Sequence, residues 1–197
     1  MYVNTKTSLD YALELIEEAT LKNDKRNLAY AYRILSSIYS VDENYVASSE
    51  FIQRAMNLFI ELSDSTGLAN IFISFGHIYR RQGNIEDEMN YHRKSYEYFL
   101  RTGDYERIGV TMHNYGESLY NAGKLDSAEF FTQKAIQINE EINRLSVLSS
   151  CYNVMGKINY KRHKFNEANT FFLKVLEISN QLGEQSQKIA TIESFLF

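Results

Sequence analysis

Apolar residues recur along the chain at helical spacing, in paired segments that are separated by short polar breaks. In one pair, positions 68–79 and 85–98 carry the apolar residues, and Gly83 lies in the break between them. Such spacing predicts amphipathic helices, and glycine in the break predicts a tight turn with positive φ. The pattern as a whole predicts helices at about residues 5–21, 27–41, 45–62, 66–81, 85–102, 106–121, 125–142, 146–161, 165–182 and 186–196.

The paired segments repeat every forty residues. One column of the repeat is small, with Ser36, Gly76, Gly116 and Gly156, and another is aromatic, with Tyr11, Phe51, Tyr91, Phe131 and Phe171. A residue with little or no side chain lets two helices approach closely, so each unit is predicted to pair a first helix with a second one. The aromatic column shares the phase of the leucines, and it is therefore predicted to lie in the core.

Breaks between units also have a regular composition. Their first residues are Asn23, Ser63, Gly103, Asn143 and Gly183. Glycine and asparagine suit the left-handed residue that ends a helix. The residues that follow three of these breaks, Asp24, Asp64 and Asp104, are predicted to cap the next helix.

The repeated residues resemble the tetratricopeptide repeat. Three units carry the resemblance, with Phe72, Phe75-Gly76, Tyr79, Gly83, Tyr91 and Ser95; with Tyr115-Gly116, Gly123, Ala128, Phe131 and Ala135; and with Tyr152, Met155-Gly156, Ala168, Phe172 and Val175. The family's common period is about 34 residues, so this chain resembles the longer variety that is seen in bacterial peptide-sensing regulators and adaptor proteins. The usual proline at the unit end is absent, and Glu88 replaces the small residue in the second unit.

The resemblance implies an all-α fold, a right-handed superhelical solenoid of stacked helix-turn-helix repeats. Its concave inner face is expected to bind a peptide or protein segment, without catalytic residues. One repeat domain is expected over residues 1–197, with a half unit at 5–21, units at about 28–63, 68–103, 108–143 and 148–183, and the start of another at 186–197.

Composition excludes several other classes. The 197 residues include 44% apolar residues and no proline, which argues against disorder and against strand-rich folds. The net charge of -4 argues against general nucleic-acid binding, and no apolar run is long enough for a membrane span. A single cysteine, Cys151, excludes an internal disulfide and is expected to be a small core residue. Without an apolar N-terminal signal segment, a cytoplasmic location is expected.

The sequence offers little for catalysis or cofactor binding. The four histidines form no His-x-x-x-His or His-Glu-x-x-His pattern, and no glycine-rich phosphate-binding motif is present. We therefore expect no metal, no cofactor and no enzymatic activity. Turnover that depends on His113 or Glu117 would be the sign of an enzyme.

The face of each first helix opposite its core phase is the candidate ligand-binding groove. Its residues are Arg33, His77, Arg80, Arg81, His113, Glu117, Tyr120, Asn153, Lys157, Tyr160 and Lys161. Five of them are basic and one is acidic, on a chain of net charge -4. We expect a partner segment that carries acidic side chains; the alternative is a face that is merely solvated.

Two functions fit this sequence. The first is a protein- or peptide-binding module that acts as a scaffold or adaptor. The second is a sensor or regulatory fragment of a larger bacterial signalling protein, which responds to a peptide and controls an attached output domain. The apolar residues Phe195, Leu196 and Phe197 further predict self-association through an exposed end repeat, or fraying of the last helix.

Overall fold

The computed structural model describes residues 5–183. Within this range nine helices follow one another and no strand occurs: α1 Thr5–Leu21, α2 Lys25–Val41, α3 Tyr45–Glu61, α4 Ser65–Arg81, α5 Ile85–Thr102, α6 Tyr105–Asn121, α7 Leu125–Glu141, α8 Leu145–Lys161 and α9 Phe165–Leu182. The first nine predicted helices are confirmed, each within two residues of its predicted ends. The predicted helix at 186–196, and with it the end-repeat hypothesis, lies outside the described residues.

Aspartates cap three of the first helices, as predicted. The side chains of Asp24, Asp64 and Asp104 accept hydrogen bonds from backbone N–H groups three residues ahead, at 3.1, 2.8 and 3.1 Å. Each bond satisfies a donor that the first turn of a helix leaves without an intrahelical partner. A capping aspartate in the sequence therefore marks the residue at which each of these three helices begins.

We expect Asp104→Ala to lower the free energy of unfolding by about 1 kcal/mol, because it removes the cap of α6. Asp104→Asn keeps an acceptor oxygen in the same place and should lose much less. Urea unfolding of both variants measures the difference. If both variants lose the same free energy of unfolding, the charge of Asp104 rather than its cap hydrogen bond is responsible.

All five breaks between units contain a left-handed residue. The φ angles of Asn23, Ser63, Gly103, Asn143 and Gly183 are 53°, 52°, 70°, 51° and 68°. This confirms the prediction for glycine and asparagine, and it extends to Ser63. The helices therefore end where the forty-residue pattern places the breaks.

The column of small residues marks close helix contacts. A Cβ on Gly116 would lie 2.8 Å from Thr132 Oγ1 and 3.2 Å from the backbone nitrogen of Thr132. A Cβ on Gly156 would lie 2.5 Å from the ring of Phe172. In the first full unit, the hydroxyl groups of Ser36 and Ser48 lie 3.1 Å apart in the core. The predicted close approach of first and second helices is thus confirmed.

The aromatic column packs against rings of the first helices. The ring centroids of Tyr91 and Phe75 are 4.9 Å apart, and those of Phe131 and Tyr115 are 4.8 Å apart. Tyr11 departs from the prediction, since it is 68% exposed. The reason is that, within the described residues, no first helix precedes α1 in the chain and supplies a ring for Tyr11 to pack against.

The chain divides into two compact units, and the division falls within α5, between Ser95 and Tyr96. In unit 1, α2 packs on α1 and α3, and α4 packs on α2 and α3. Its core includes Ala29, Ile52, Ala55, Phe59, Ile71 and Ile78. In unit 2, α7 packs on α6 and α8, while α8 also packs on α6 and α9. Its core includes Leu148, Tyr152, Val175 and Ile178.

Candidate functional site

In unit 2, the predicted groove residues lie on α6 and α8. His113 and Glu117 on α6 stand at the same repeat positions as Asn153 and Lys157 on α8, forty residues later. His113 is 9% exposed, and the other three are half-buried. The Nε2 atom of His113 lies 4.0 Å from Glu117 Oε2. This face therefore holds polar side chains that are partly withdrawn from solvent.

The C-terminal ends of α6 and α8 carry the aromatic part of the same set. The Nζ atom of Lys161 lies 4.4 Å from the centre of the Tyr120 ring, in a cation–π contact that joins the two helices. The ring of Tyr160 meets Phe165 edge-on at 5.4 Å, and these side chains are 40% and 55% exposed. Two rings thus stay accessible beside the basic residues.

Burial distinguishes this face from the polar surface of the second helices. On α7, the polar side chains of Gln133, Lys134 and Gln137 are all exposed. On α6 and α8, by contrast, Glu117, Asn153 and Lys157 are half-buried although none belongs to the apolar phase. Polar groups that are partly enclosed can bind a partner with less competition from water than fully exposed groups.

In unit 1, the four candidates are arranged differently. Arg33 is half-buried, and its guanidinium lies 5.9 Å from the centre of the Tyr30 ring, three residues earlier on the same helix. Arg81 is exposed, and its carbonyl oxygen accepts a hydrogen bond from Tyr45 at 3.2 Å. His77 is exposed at the surface of α4. A basic–aromatic contact of this face in unit 1 thus lies within one helix, α2, whereas that of unit 2 joins two helices.

The Arg80 side chain pairs with a buried carboxylate. Its Nε donates to Glu88 Oε1 at 2.7 Å, and the Arg80 and Glu88 side chains are 28% and 1% exposed. Glu88 thus balances one of the five basic charges that the sequence assigns to the groove. The positive excess of this face is smaller than the sequence predicts.

Sequence reasoning singled out Glu88 as a departure from the repeat, but it did not place Glu88 or His92 in the core. Glu88 and His92 are 1% and 0% exposed, and neither belongs to the predicted groove. The signal that could have found them is the repeat itself. The other full units have Ser48, Ala128 and Ala168 in place of Glu88, and Ile52, Thr132 and Phe172 in place of His92.

Cys151 is a core residue, as expected. It is 0% exposed on α8, and burial raises the pKa of its thiol far above the ordinary value. A thiol held in its neutral form is a poor nucleophile and a poor metal ligand. Within residues 5–183, no group of three or more His, Cys, Asp or Glu side chains is placed to hold a metal ion.

No protein-family model matches the sequence, and no curated protein matches it either. Solved structures do match. Aspartyl phosphate phosphatase F from Bacillus subtilis is 19% identical with a TM-score of 0.78, over 95% of this chain and 52% of that one. PlcR from Bacillus thuringiensis, solved with the peptide PapR7 and DNA, is 14% identical with a TM-score of 0.76, over 96% and 74% of the two chains.

A third match names the repeat. It is a signal transduction ATPase with a tetratricopeptide repeat sensor from Pyrococcus horikoshii, 15% identical with a TM-score of 0.78, over 93% of this chain and 28% of that one. The fold is a tetratricopeptide-type helical repeat. At these identities the likeness establishes the fold alone. This chain spans about half of the phosphatase and about a quarter of the ATPase.

The tetratricopeptide-type helices of this chain are amphipathic rather than uniformly apolar. Among the helices of residues 5–183, none is both long enough and apolar enough to cross a bilayer.

Proposed function

We propose that this chain is a protein- or peptide-binding tetratricopeptide module that acts as a scaffold or adaptor. The observation that carries the proposal is the half-buried polar face of α6 and α8. Burying polar side chains has a free-energy cost, and such groups are retained where they hydrogen-bond or meet a partner. Repetition at forty-residue spacing suits an extended segment, which meets equivalent side chains at regular intervals.

The chemistry of this face favours a partner with acidic side chains. Lys157 and Lys161 supply two positive charges against the single carboxylate of Glu117. Asn153 and His113 can pair with backbone amide groups of an extended segment. Tyr160 offers a flat apolar surface with a polar tip. In unit 1, Arg33 and Arg81 are the basic residues that we assign to the same role.

The test uses peptides selected from a displayed random dodecapeptide library with the wild-type chain as bait. Binding of the enriched peptides is then measured by fluorescence polarisation. We expect Lys157→Glu with Lys161→Glu to weaken binding about ten-fold or more, since each exposed ion pair is worth about 0–1 kcal/mol and reversal adds repulsion. Raising the salt from 0.1 M to 1 M should weaken wild-type binding as well, because the Debye length falls from about 10 Å to 3 Å.

The matched control is Lys134→Glu with Lys174→Glu. It makes the same change in net charge on two exposed lysines of the second helices, α7 and α9. Its affinity should stay close to that of the wild type. Equal weakening by both double variants would mean that net charge matters and that α6 and α8 are not the binding face.

A second candidate function is that of a peptide-responsive sensor in a larger signalling protein. Two matches favour it, since PlcR was solved with the peptide PapR7 and the archaeal ATPase carries a tetratricopeptide repeat sensor. The full-length open reading frame that contains this sequence distinguishes the two functions. An attached output domain whose activity changes on peptide binding supports the sensor, whereas an isolated repeat supports the adaptor.

We assign no catalytic step to the module. His113 and Glu117, the residues that would be tested first in an enzyme, are instead part of the proposed binding face. The buried thiol of Cys151, the one cysteine of the sequence, suits a reducing cytoplasm, where we place the function. The proposed partners are proteins or peptides; a nucleic acid or a second copy of this chain is not part of the proposal.

A further inference from the structure

Two turns at the same place in the repeat carry opposite charges. The turn between α2 and α3 in unit 1 has only acidic charged residues, and the turn between α8 and α9 in unit 2 has only basic ones. We call them the acidic turn, residues 40–46, and the basic turn, residues 160–166. The equivalent turns of the other two full units, residues 80–86 and 120–126, contain both acidic and basic residues.

The acidic turn exposes aliphatic side chains next to its carboxylates. Asp42 and Glu43 are exposed. Val41 and Val46, on either side of them in the sequence, are 49% and 83% exposed. The turn therefore offers apolar contact area beside two negative charges.

The basic turn exposes aromatic rings next to its lysines. Tyr160 and Phe165 are 40% and 55% exposed, and their rings meet edge-on at 5.4 Å. The ring of His163 meets that of Phe165 edge-on at 5.9 Å. Lys161 and Lys164 are exposed as well. Rings that are linked by contacts form one patch rather than single exposed residues, which are common on any surface.

An ion pair holds the basic turn on α7. Arg162 donates to Glu129 at 2.7 Å, and it also pairs with Asp126. The carboxylates of α7 thus balance the charge of Arg162. Lys161 and Lys164 are the basic residues of this turn that we assign to a partner.

Both turns have the same backbone conformation. The φ angles of Glu43 and His163 are 58° and 59°. The N–H groups of Asn44 and Lys164 each donate to the carbonyl group five residues earlier, at 2.9 and 3.0 Å. A turn that is already fixed by hydrogen bonds loses little conformational entropy when it binds.

We propose that the acidic turn of one molecule binds the basic turn of a second copy of this chain. The two carboxylates of the first turn pair with the two lysines of the second. The exposed valines pack on the rings of Tyr160 and Phe165. Because the two surfaces of the contact differ, the interface is heterologous, and each copy can bind one partner through each turn.

The size of the two turns sets the expected strength of the contact. Two short turns bury less surface than the roughly 1,200 Å² at which standard protein interfaces begin, so the contact belongs to the weak and transient class. We expect a Kd of about 0.1 mM or weaker. Because exposed ion pairs are screened by ions, association should weaken as the salt concentration rises.

The test exchanges residues between the two turns. His163→Glu with Lys164→Asn gives the basic turn the residues of the acidic one, and Glu43→His with Asn44→Lys makes the reciprocal change. Both exchanges keep the turn conformation, because Glu43 and His163 share the same φ angle within 1°. Sedimentation equilibrium of the 197-residue chain between about 0.01 and 1 mM, a range that brackets the expected Kd, measures the weight-average mass.

We expect the mass of the wild type to rise with concentration, and each exchange variant alone to associate about ten-fold more weakly or less. An equimolar mixture of the two variants should recover the association of the wild type. In the mixture, the intact acidic turn of one variant meets the intact basic turn of the other. Neither a folding defect nor a change in net charge would produce this recovery.

The matched control is Lys134→Glu, which changes the net charge of the chain as much as His163→Glu with Lys164→Asn does. Lys134 is exposed on α7, outside both turns, so this variant should associate like the wild type. Should an exchange variant not fold, Val46→Ser removes an apolar side chain that is 83% exposed and should weaken association too.

A wild-type chain that stays monomeric over the whole range would overturn the proposal. So would unchanged association of the exchange variants, which would place the contact on another surface, or a mixture that does not recover. The measurement uses no ligand, so it is separate from the proposed function. Peptide binding by a chain that does not self-associate would overturn this inference alone.

Discussion

Gly116→Leu is expected to lower the free energy of unfolding by about 3 kcal/mol, through overpacking. The first atom of any side chain at this position would lie 2.8 Å from Thr132 Oγ1 and 3.2 Å from the backbone nitrogen of Thr132. A backbone atom cannot turn away as a side chain can, so α6 and α7 must separate. Leucine is a better helix former than glycine by under about 1 kcal/mol, which offsets only part of this cost.

The control for this variant is Ser127→Leu. Ser127 is exposed on α7. Its substitution therefore adds a leucine side chain to the same pair of helices, outside their contact. Urea unfolding followed by circular dichroism measures both variants. Unchanged stability of Gly116→Leu would mean that α6 and α7 are not in close contact at this point.

The fold could be predicted almost completely from the sequence, because a repeat displays the same physical requirement several times. Gly76, Gly116 and Gly156 each stand where a second helix comes too close for a Cβ. Asp24 and Asp104 each stand where a helix start needs an acceptor. Helix ends are local features of the chain, so they follow from nearby residues alone.

The candidate site could be predicted less well, because pairing between helices is not a local property. The sequence places Arg80 on the outer phase of α4, and this position predicts a contact with a ligand. Its long side chain instead reaches Glu88 on the next helix. Glu88 departs from the family pattern, but a departure does not identify the residue with which Glu88 pairs. The cation–π contact of Lys161 with Tyr120 was missed for the same reason.

The ion pair of Arg80 and Glu88 leads to the second large effect. Arg80→Tyr removes an ion-pair partner of Glu88, whose carboxylate is 1% exposed. Breaking a buried pair from one side costs about 3–5 kcal/mol, because it leaves a charge in a medium that solvates it poorly. Glu88→Ala should cost less, near 3 kcal/mol or below, since the Arg80 side chain is 28% exposed and can turn towards water.

The double variant, Arg80→Tyr with Glu88→Ala, should recover most of that loss. It copies residues that the chain already uses, because Tyr120 with Ala128 and Tyr160 with Ala168 occupy the equivalent places in the next two units. Replacing both members of a buried pair with well-packed neutral residues is often neutral or stabilising. Urea unfolding of the two single variants and the double variant completes a double-mutant cycle. If the losses of the single variants simply add, Arg80 and Glu88 do not stabilise each other, and the charge of Arg80 belongs to the groove after all.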